Sequence, residues 1–549
     1  MWSMIWQKLK EILQIMLGGN TIEQKLHVKP VISTRMENAI QEWTDMYEGH
    51  PGWIHEPTWD NPTTVVSLGL PAMIASEKAR TALLEMKSDI TAPTEEVEIE
   101  NPDYKDPEED VFGNMIPSAE PKIIKVEKPI GSIDRAEYLN NQYHKLLKKL
   151  RTNLEYGIAK GGLVIKPYVV KTETLDGTVR MEMEFDFVQA DAFYPLAFTA
   201  GGKIVEAAFI QTRADKDSVY RRLEYHKWEN NQVTVVNRAF RTSNTDTRLT
   251  NVDLGQEVSL KEVPEWQDLE PEVVIKNVTN PLFAYFKMPE ANTIDSTSPL
   301  GVSGFARARN LIRDADIQYS RLLWEYEGGE LAIDIDRDAL RIETDSKGVD
   351  HTVMNNLQRR LYRKVDLGAE SNTYEPYAPA LRDNSYIKGL NTILMRIEDV
   401  CGISRGTLSE VYTAEARTAT ELKILKQRSY QTNADIQQSV EDALRDVIYI
   451  MNTYCDLYDI TPVGEFDISF EWDDSIIVDT DTELLNRITL QQNGLASKLE
   501  NRMWYFGENE RQANEALMRI KEEETEAMEQ ELVQTANTIN LKSNEEVGE

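Results

Sequence analysis

Hydrophobic positions along the chain change period several times, and each change predicts a new element. Trp2, Ile5, Trp6, Leu9, Ile12, Leu13 and Met16 recur at three- and four-residue steps, with Lys8, Lys10 and Glu11 between them. This spacing predicts an amphipathic helix ended by Gly18-Gly19. Its charges interrupt any signal-peptide core and no small-residue cleavage site follows, so docking on the protein's own body or on a neighbouring subunit is expected, with a surface anchor on lipid as the lesser alternative. Helical spacing returns over 34–48 and over 63–90. In the second stretch Leu68, Ala72, Ala75, Ala79, Ala82 and Met86 share a stripe, and Pro71 argues against a clean start. Residues 94–110 hold nine acids, one lysine and two prolines, a composition that predicts an exposed, mobile loop. Another helix is expected from about Ser132 to Ala159, stopped by Gly161-Gly162.

From Leu163 to Lys287 the period falls to two. Val179, Met181, Met183, Phe185 and Phe187 alternate with Arg180, Glu182, Glu184 and Asp186, as in a strand with one wet face. Turn signals at Asp176-Gly177, Gly201-Gly202 and Asn230-Asn231 predict an antiparallel meander, and helices followed by strands define an α+β chain. Phe305, Ala308, Ile312, Ala315, Tyr319, Leu322 and Tyr326 then alternate in steps of three and four, a seam along a helix that Gly328-Gly329 ends. Short strands (ELAIDID, RLYRKVD) follow, then a helix from about Ser385 to Val400, so two helices flank a small β-containing module. The small, polar segment 402–420 precedes a long helix bearing Ile436, Val440, Leu444, Val447, Met451, Cys455 and Tyr458. A strand, DISFEWDD, and two further helices separated by Gly494 complete the pattern. Capping-box spacing occurs at Thr418–Glu421, Thr480–Glu483 and Ser497–Glu500, and an acidic tail covers 522–549.

Composition narrows the function. The 549 residues carry a formal charge of −33, which disfavours a broad grip on a nucleic-acid backbone, since that needs an excess of Lys and Arg. Two cysteines, Cys401 and Cys455, exclude a disulfide scaffold, and six scattered histidines argue against a multi-histidine metal site. No uninterrupted apolar run of about 18 residues predicts a membrane span. There is no phosphate-cradling GxxxxGK[ST] and no HExxH. Cys401 at a helix end admits a reactive thiolate in principle, but a buried structural cysteine is the expected reading. Catalysis, cofactor and metal are therefore not expected. One basic cluster stands out, Arg359, Arg360, Arg363 and Lys364 in the small module; it reads as a solvated strand face or as a docking surface for an acidic partner or nucleic acid.

The motifs MENAIQEWTDMYEG, LGLPAMIASEKART, YGIAKGGLVIKPYV, NTIDSTSPLGVSGFARARNLIRDADIQYS, PALRDNSYIKGLNTILMRIEDVCGISRGTLS and ARTATELKILKQRSYQTN, in that order, resemble portal proteins of tailed bacteriophages, specifically those of phages and prophages of Gram-positive bacteria. The resemblance runs from about Met1 to Met528. It implies a ring of about twelve subunits at one capsid vertex around a channel for double-stranded DNA. It also implies a layout: wing over 1–299, stem helix 300–327, clip 328–382, second stem helix 383–401, tunnel loop 402–418, a long helix returning to the wing over 419–479, and a helical crown with acidic tail over 480–549. Implied partners are the terminase and then the head–tail connector at the clip, with major capsid and scaffold proteins around the ring. The implied location is the virion, after assembly in the host cytoplasm, and the implied role is structural.

On this reading Ser404, Arg405, Thr407, Ser409, Glu410 and Arg417 are candidates to touch DNA weakly, and the four clip cations are candidates for partner docking. The seam from Phe305 to Tyr326 is expected to face neighbouring stems. A head–tail adaptor or minor capsid protein is the alternative within the same class, although adaptors are usually shorter. An acidic nucleic-acid enzyme or packaging ATPase is the alternative from another class, and it lacks a nucleotide site here.

Overall fold

The structure is a computed structural model. It describes residues 22–26, 31–54, 64–84, 86–101, 104, 108–109, 115–116, 123–130, 133–173, 179–215, 218–242, 254–329, 332–336, 341–344, 348, 350–353, 362–365, 374–377, 379–410, 419–472, 480–521 and 525. The amphipathic pattern of residues 2–16 lies outside these, as does the capping box at Thr418. The chain divides into two compact units, one of residues 1–416 with 424–472, the other of 417–423 with 473–549.

The first unit is organised around one long helix. Helices α1 (Ile22–Leu26), α2 (Thr34–Tyr47) and α3 (Leu70–Leu83) precede it, and α4 (Asp134–Lys160) is the helix expected from Ser132. On α4, Leu139, Tyr143, Leu146, Leu150, Leu154 and Ile158 are all at most 2% exposed. Burying each such side chain contributes roughly 1.5–3 kcal/mol. Asp134 and Glu137 lie in its first turn, where the helix dipole favours acids, and Gly161 ends it at φ 88°. That glycine is required twice over, since a Cβ there would also come within 2.8 Å of the Gly301 carbonyl oxygen.

Two features before α4 differ from the sequence expectation. The alanine stripe does not continue to residue 90: α3 ends at Leu83, and β1 (Met86–Thr91) pairs antiparallel with β20 (Asp467–Trp472). Pro71 falls in the first turn of α3, where its missing N–H costs nothing, so it opens the helix. The acidic stretch begins as a strand, β2 (Thr94–Glu100), paired along its whole length with β5 (Ile123–Pro129). Two short strands, β3 (Glu108–Glu109) and β4 (Met115–Ile116), pair with each other between them.

The meander divides into two sheets. β14 (Ala284–Lys287), β6 (Gly162–Glu173) and β7 (Val179–Gln189) form one, against which α4 packs. The other runs β12 (Gln256–Val258), β11 (Gln232–Thr242), β10 (Ser218–Glu229), β9 (Ile204–Asp215), β8 (Phe193–Phe198), with β13 (Glu272–Lys276) also on β11. Asn230 and Asn231, at φ 54° and 57°, make the two-residue turn that joins β10 to β11.

The seam helix starts later than expected, with a 3-10 turn at Ala306–Ala308 leading into α5 (Arg309–Gly328). After the small module, α6 (Asp383–Cys401) packs along α5. Within the module β15 (Ala332–Asp336) lies between β18 (Tyr362–Val365), parallel, and β19 (Tyr374–Tyr377), antiparallel, beside a β16 (Arg341–Thr344)–β17 (Asp350–Val353) pair. Glu325 near the end of α5 accepts from the Arg382 backbone (3.1 Å) and guanidinium (3.1 and 2.7 Å), tying the two ends of the module together. These bonds hold the Glu325 carboxyl below its ordinary value. α7 (Ala419–Leu457) follows as one continuous helix.

In the second unit, α8 (Thr480–Gln492) and α9 (Lys498–Phe506) are followed by helix over 510–521. The Ser497 capping box is complete: its hydroxyl accepts from Glu500 N (3.0 Å), and the Glu500 carboxylate accepts from Ser497 N (2.8 Å). Asn501 joins α9 to α8 through the Arg487 carbonyl (3.2 Å) and Gln491 (3.0 Å).

Candidate functional site

The segment 402–410, between α6 and α7, is short in apolar side chains and rich in backbone donors that helix and sheet leave unused. One carboxylate collects them. Glu398, with no exposed surface, accepts at Oε1 from Gly406 N (3.1 Å), Leu408 N (2.7 Å) and Ser409 N (2.9 Å), and at Oε2 from the Ser409 hydroxyl (2.7 Å). Two helical turns earlier, Asn391 accepts from Glu410 N (2.7 Å) and donates to the Glu410 carbonyl (2.9 Å). Hydrogen bonds to a charged acceptor contribute about 1.5–3 kcal/mol each, so this is a strongly fixed loop root.

The entry to the loop is equally constrained. Gly402 ends α6 at φ 68°, and a Cβ there would collide with the Thr432 side chain of α7. Arg405, 40% exposed, pairs with Asp399 at 2.7 Å, and the Thr407 hydroxyl donates to the Ser404 carbonyl (2.7 Å). The root is therefore wedged between the end of α6 and the flank of α7, with its outward groups held in place.

Several of the expected site residues can now be located. Arg405, Thr407 and Glu410 are exposed on the loop root, and Ser404 is half-buried. Ser409 is not available to a ligand: it is 6% exposed and its hydroxyl is given to Glu398. Arg417 lies outside the described residues. So do Arg359 and Arg360, whereas Arg363 and Lys364 are on β18, in register with Asp334 and Ile335 of β15.

The seam also needs correction. Phe305, Ala308, Ile312 and Ala315 have no exposed surface and Leu322 only 7%, because this chain's own core covers them. What remains for a neighbour is the half-buried Tyr319 and the exposed Tyr326. The spacing identified a buried face, and a spacing carries no label for who buries it.

Glu398 and Asn391 were missed by sequence reasoning, although a signal exists. Asn391, Leu394, Glu398 and Cys401 follow one another at steps of three, four and three, so two polar residues occupy the inward stripe of α6. A polar group on such a stripe must find partners, and here it finds the loop.

Burial pushes the Cys401 thiol up to about 12, which removes the reactive-thiolate reading. Among the described residues no His, Cys, Asp or Glu group is arranged to hold a metal ion, and no helix is long and apolar enough to cross a membrane. The arrangement can present polar and charged groups from a rigid base.

The two sheets of the meander, the paired helices around the small module, the loop root and the long helix after it all lie within one stretch of sequence that matches a known family. Residues 123–530 match the family of phage portal proteins, SPP1 Gp6-like. The chain belongs to the phage portal protein family, a structural family. No curated protein matches it.

Proposed function

We propose that this protein forms a closed ring of about twelve copies at one capsid vertex, a passage for double-stranded DNA during packaging and ejection. The observation that carries the reading is the family match across the entire α5–module–α6–loop–α7 series. On this reading α5 and α6 are the stem, the module over 328–382 is the clip that meets the terminase and then the head–tail connector, and 402–418 is the tunnel loop. Residues 1–299 and 480–549 form wing and crown. Major capsid and scaffold proteins surround the ring in the particle, which belongs to a tailed phage of a Gram-positive host.

The loop root supports this role physically. DNA must slide, so contacts should be few and weak; Arg405 is already neutralised by Asp399, and its neighbours are hydroxyls and an acid. Ser404, Arg405, Thr407 and Glu410, with Arg417, are the residues proposed to meet DNA. Arg359, Arg360, Arg363 and Lys364 are proposed for clip docking, and Tyr319 and Tyr326 for stem contacts between copies.

Native mass measurement with particle imaging tests the reading. The expected result is a closed ring with a central hole, near 750 kDa for twelve copies of 62.9 kDa. A compact dimer without a hole would overturn it.

A further inference from the structure

Two surfaces of the first unit carry opposite charges that its own fold leaves unmatched. The first is the β2–β5 ribbon. Its strands pack on each other and make no extensive contact with any other element. Glu96, Glu98 and Glu100 alternate along β2 and so share one face. Lys125 stands directly opposite Glu98 in the β2–β5 register but turns its ammonium to Glu96, at 3.0 Å. Among the described residues Glu98 and Glu100 have no cationic partner, and both are exposed.

The second surface is a basic ridge on α4, unusual in a chain with a formal charge of −33. Lys145, Lys148, Lys149 and Arg151 fall within two turns. Two of them are spent inside the chain: Lys145 on Glu182 (2.8 Å) and Lys149 on Glu184 (3.3 Å), both on β7. Lys148 and Arg151 are exposed and have no acidic partner among the described residues.

The spare charges match in number and in spacing. Residues two apart on a strand lie about 7 Å from each other on the same face. Residues three apart on a helix lie about 5–6 Å apart, within the reach of Lys and Arg side chains. Both patches belong to the same chain and no ion pair joins them among the described residues, so each copy offers one half of a contact and the next copy the other. Identical copies satisfy this head to tail, which is the heterologous relation that closes a ring.

We propose that Glu98 and Glu100 of one copy dock on Lys148 and Arg151 of the next, so that the ribbon acts as an arm between adjacent subunits. The contact rests on the ring reading above. Because the pairs are charged and lie at the surface, the contact should weaken with salt and contribute more to choosing the neighbour than to holding the ring.

Full-length wild type, Lys148→Glu/Arg151→Glu, Glu98→Lys/Glu100→Lys and the quadruple variant would be compared by native mass measurement over a range of protein and salt concentrations. All four positions are exposed, and circular dichroism checks that each variant folds. The expected result is that either double variant raises the concentration for half-assembly at least tenfold at low salt, and that the quadruple variant restores it. Rings that assemble alike in all four proteins would overturn the arm contact and leave the ring reading intact. Impairment by both double variants without restoration in the quadruple one would also overturn it. If the ridge variant assembles normally but loses affinity for duplex DNA, the ridge serves DNA and the arm contact is wrong. A wild-type chain that forms no ring at any concentration would instead overturn the ring reading itself, and the arm with it.

Discussion

Segments 94–100 and 402–410 are both polar stretches by composition, and the fold treats them in opposite ways. The acidic segment pairs with a second strand and sends its carboxylates to water; the salt bridge between Glu96 and Lys125 joins side chains 64% and 65% exposed. The loop segment pairs with nothing regular, yet its backbone is held by a carboxylate and an amide that the core of α6 supplies. Polarity therefore says little about order. What matters is whether donors meet acceptors away from water, because an unmet buried group costs about 1–3 kcal/mol while an exposed pair gains little. A structural protein has a use for both: a root that does not yield, and surface charges free to meet another molecule.

The sharpest way to break the contrast is Glu398→Ala. It leaves three backbone N–H groups and one hydroxyl without their acceptor, and should destabilise the first unit by about 3–6 kcal/mol, less whatever water recovers. Hydrogen exchange at the amides of Gly406, Leu408 and Ser409 should accelerate at least ~100-fold. Unchanged exchange at these three would show that the loop is held by something else.

Gly402→Ala attacks the same root from its other side. Alanine at positive φ costs about 1–2 kcal/mol, and the collision with Thr432 adds to that, so a loss of about 2–3 kcal/mol in urea unfolding is expected. A companion Thr432→Ala in the same chain should recover the collision and leave the backbone cost. Full recovery would mean that φ at Gly402 relaxes on substitution.

How much of this was legible depended on whether a period survived in the side chains. The α4 stripe and the 163–242 strands announced themselves because their apolar residues repeat at steps that only one element fits. The ribbon carried its own signal, Val97 and Ile99 alternating with Glu96, Glu98 and Glu100, but nine acids in seventeen residues outweighed it. The alanine stripe overran into β1 because alanine favours helix and Met86 continued the spacing, whereas pairing with Trp472, nearly four hundred residues away, decided the matter. The loop was located as small and polar, and Arg405, Thr407 and Glu410 do stand at its surface. Ser409 could not be told from them, since its burial follows from Glu398, and no local pattern links the two.

The smallest effect tests the other half of the comparison. Lys125→Ala removes the one cation paired on the acidic face of the ribbon, yet both partners are mostly in water, so stability should change by less than about 0.5 kcal/mol. The register of β2 on β5 should survive, because it is fixed by seven paired positions including Val97 opposite Val126, not by the ion pair. Chemical shifts or exchange rates of the β2 amides would read this directly. A collapse of ribbon protection after so slight a change would mean that its charges hold it together in the free chain, and they would then not be spare for any neighbour.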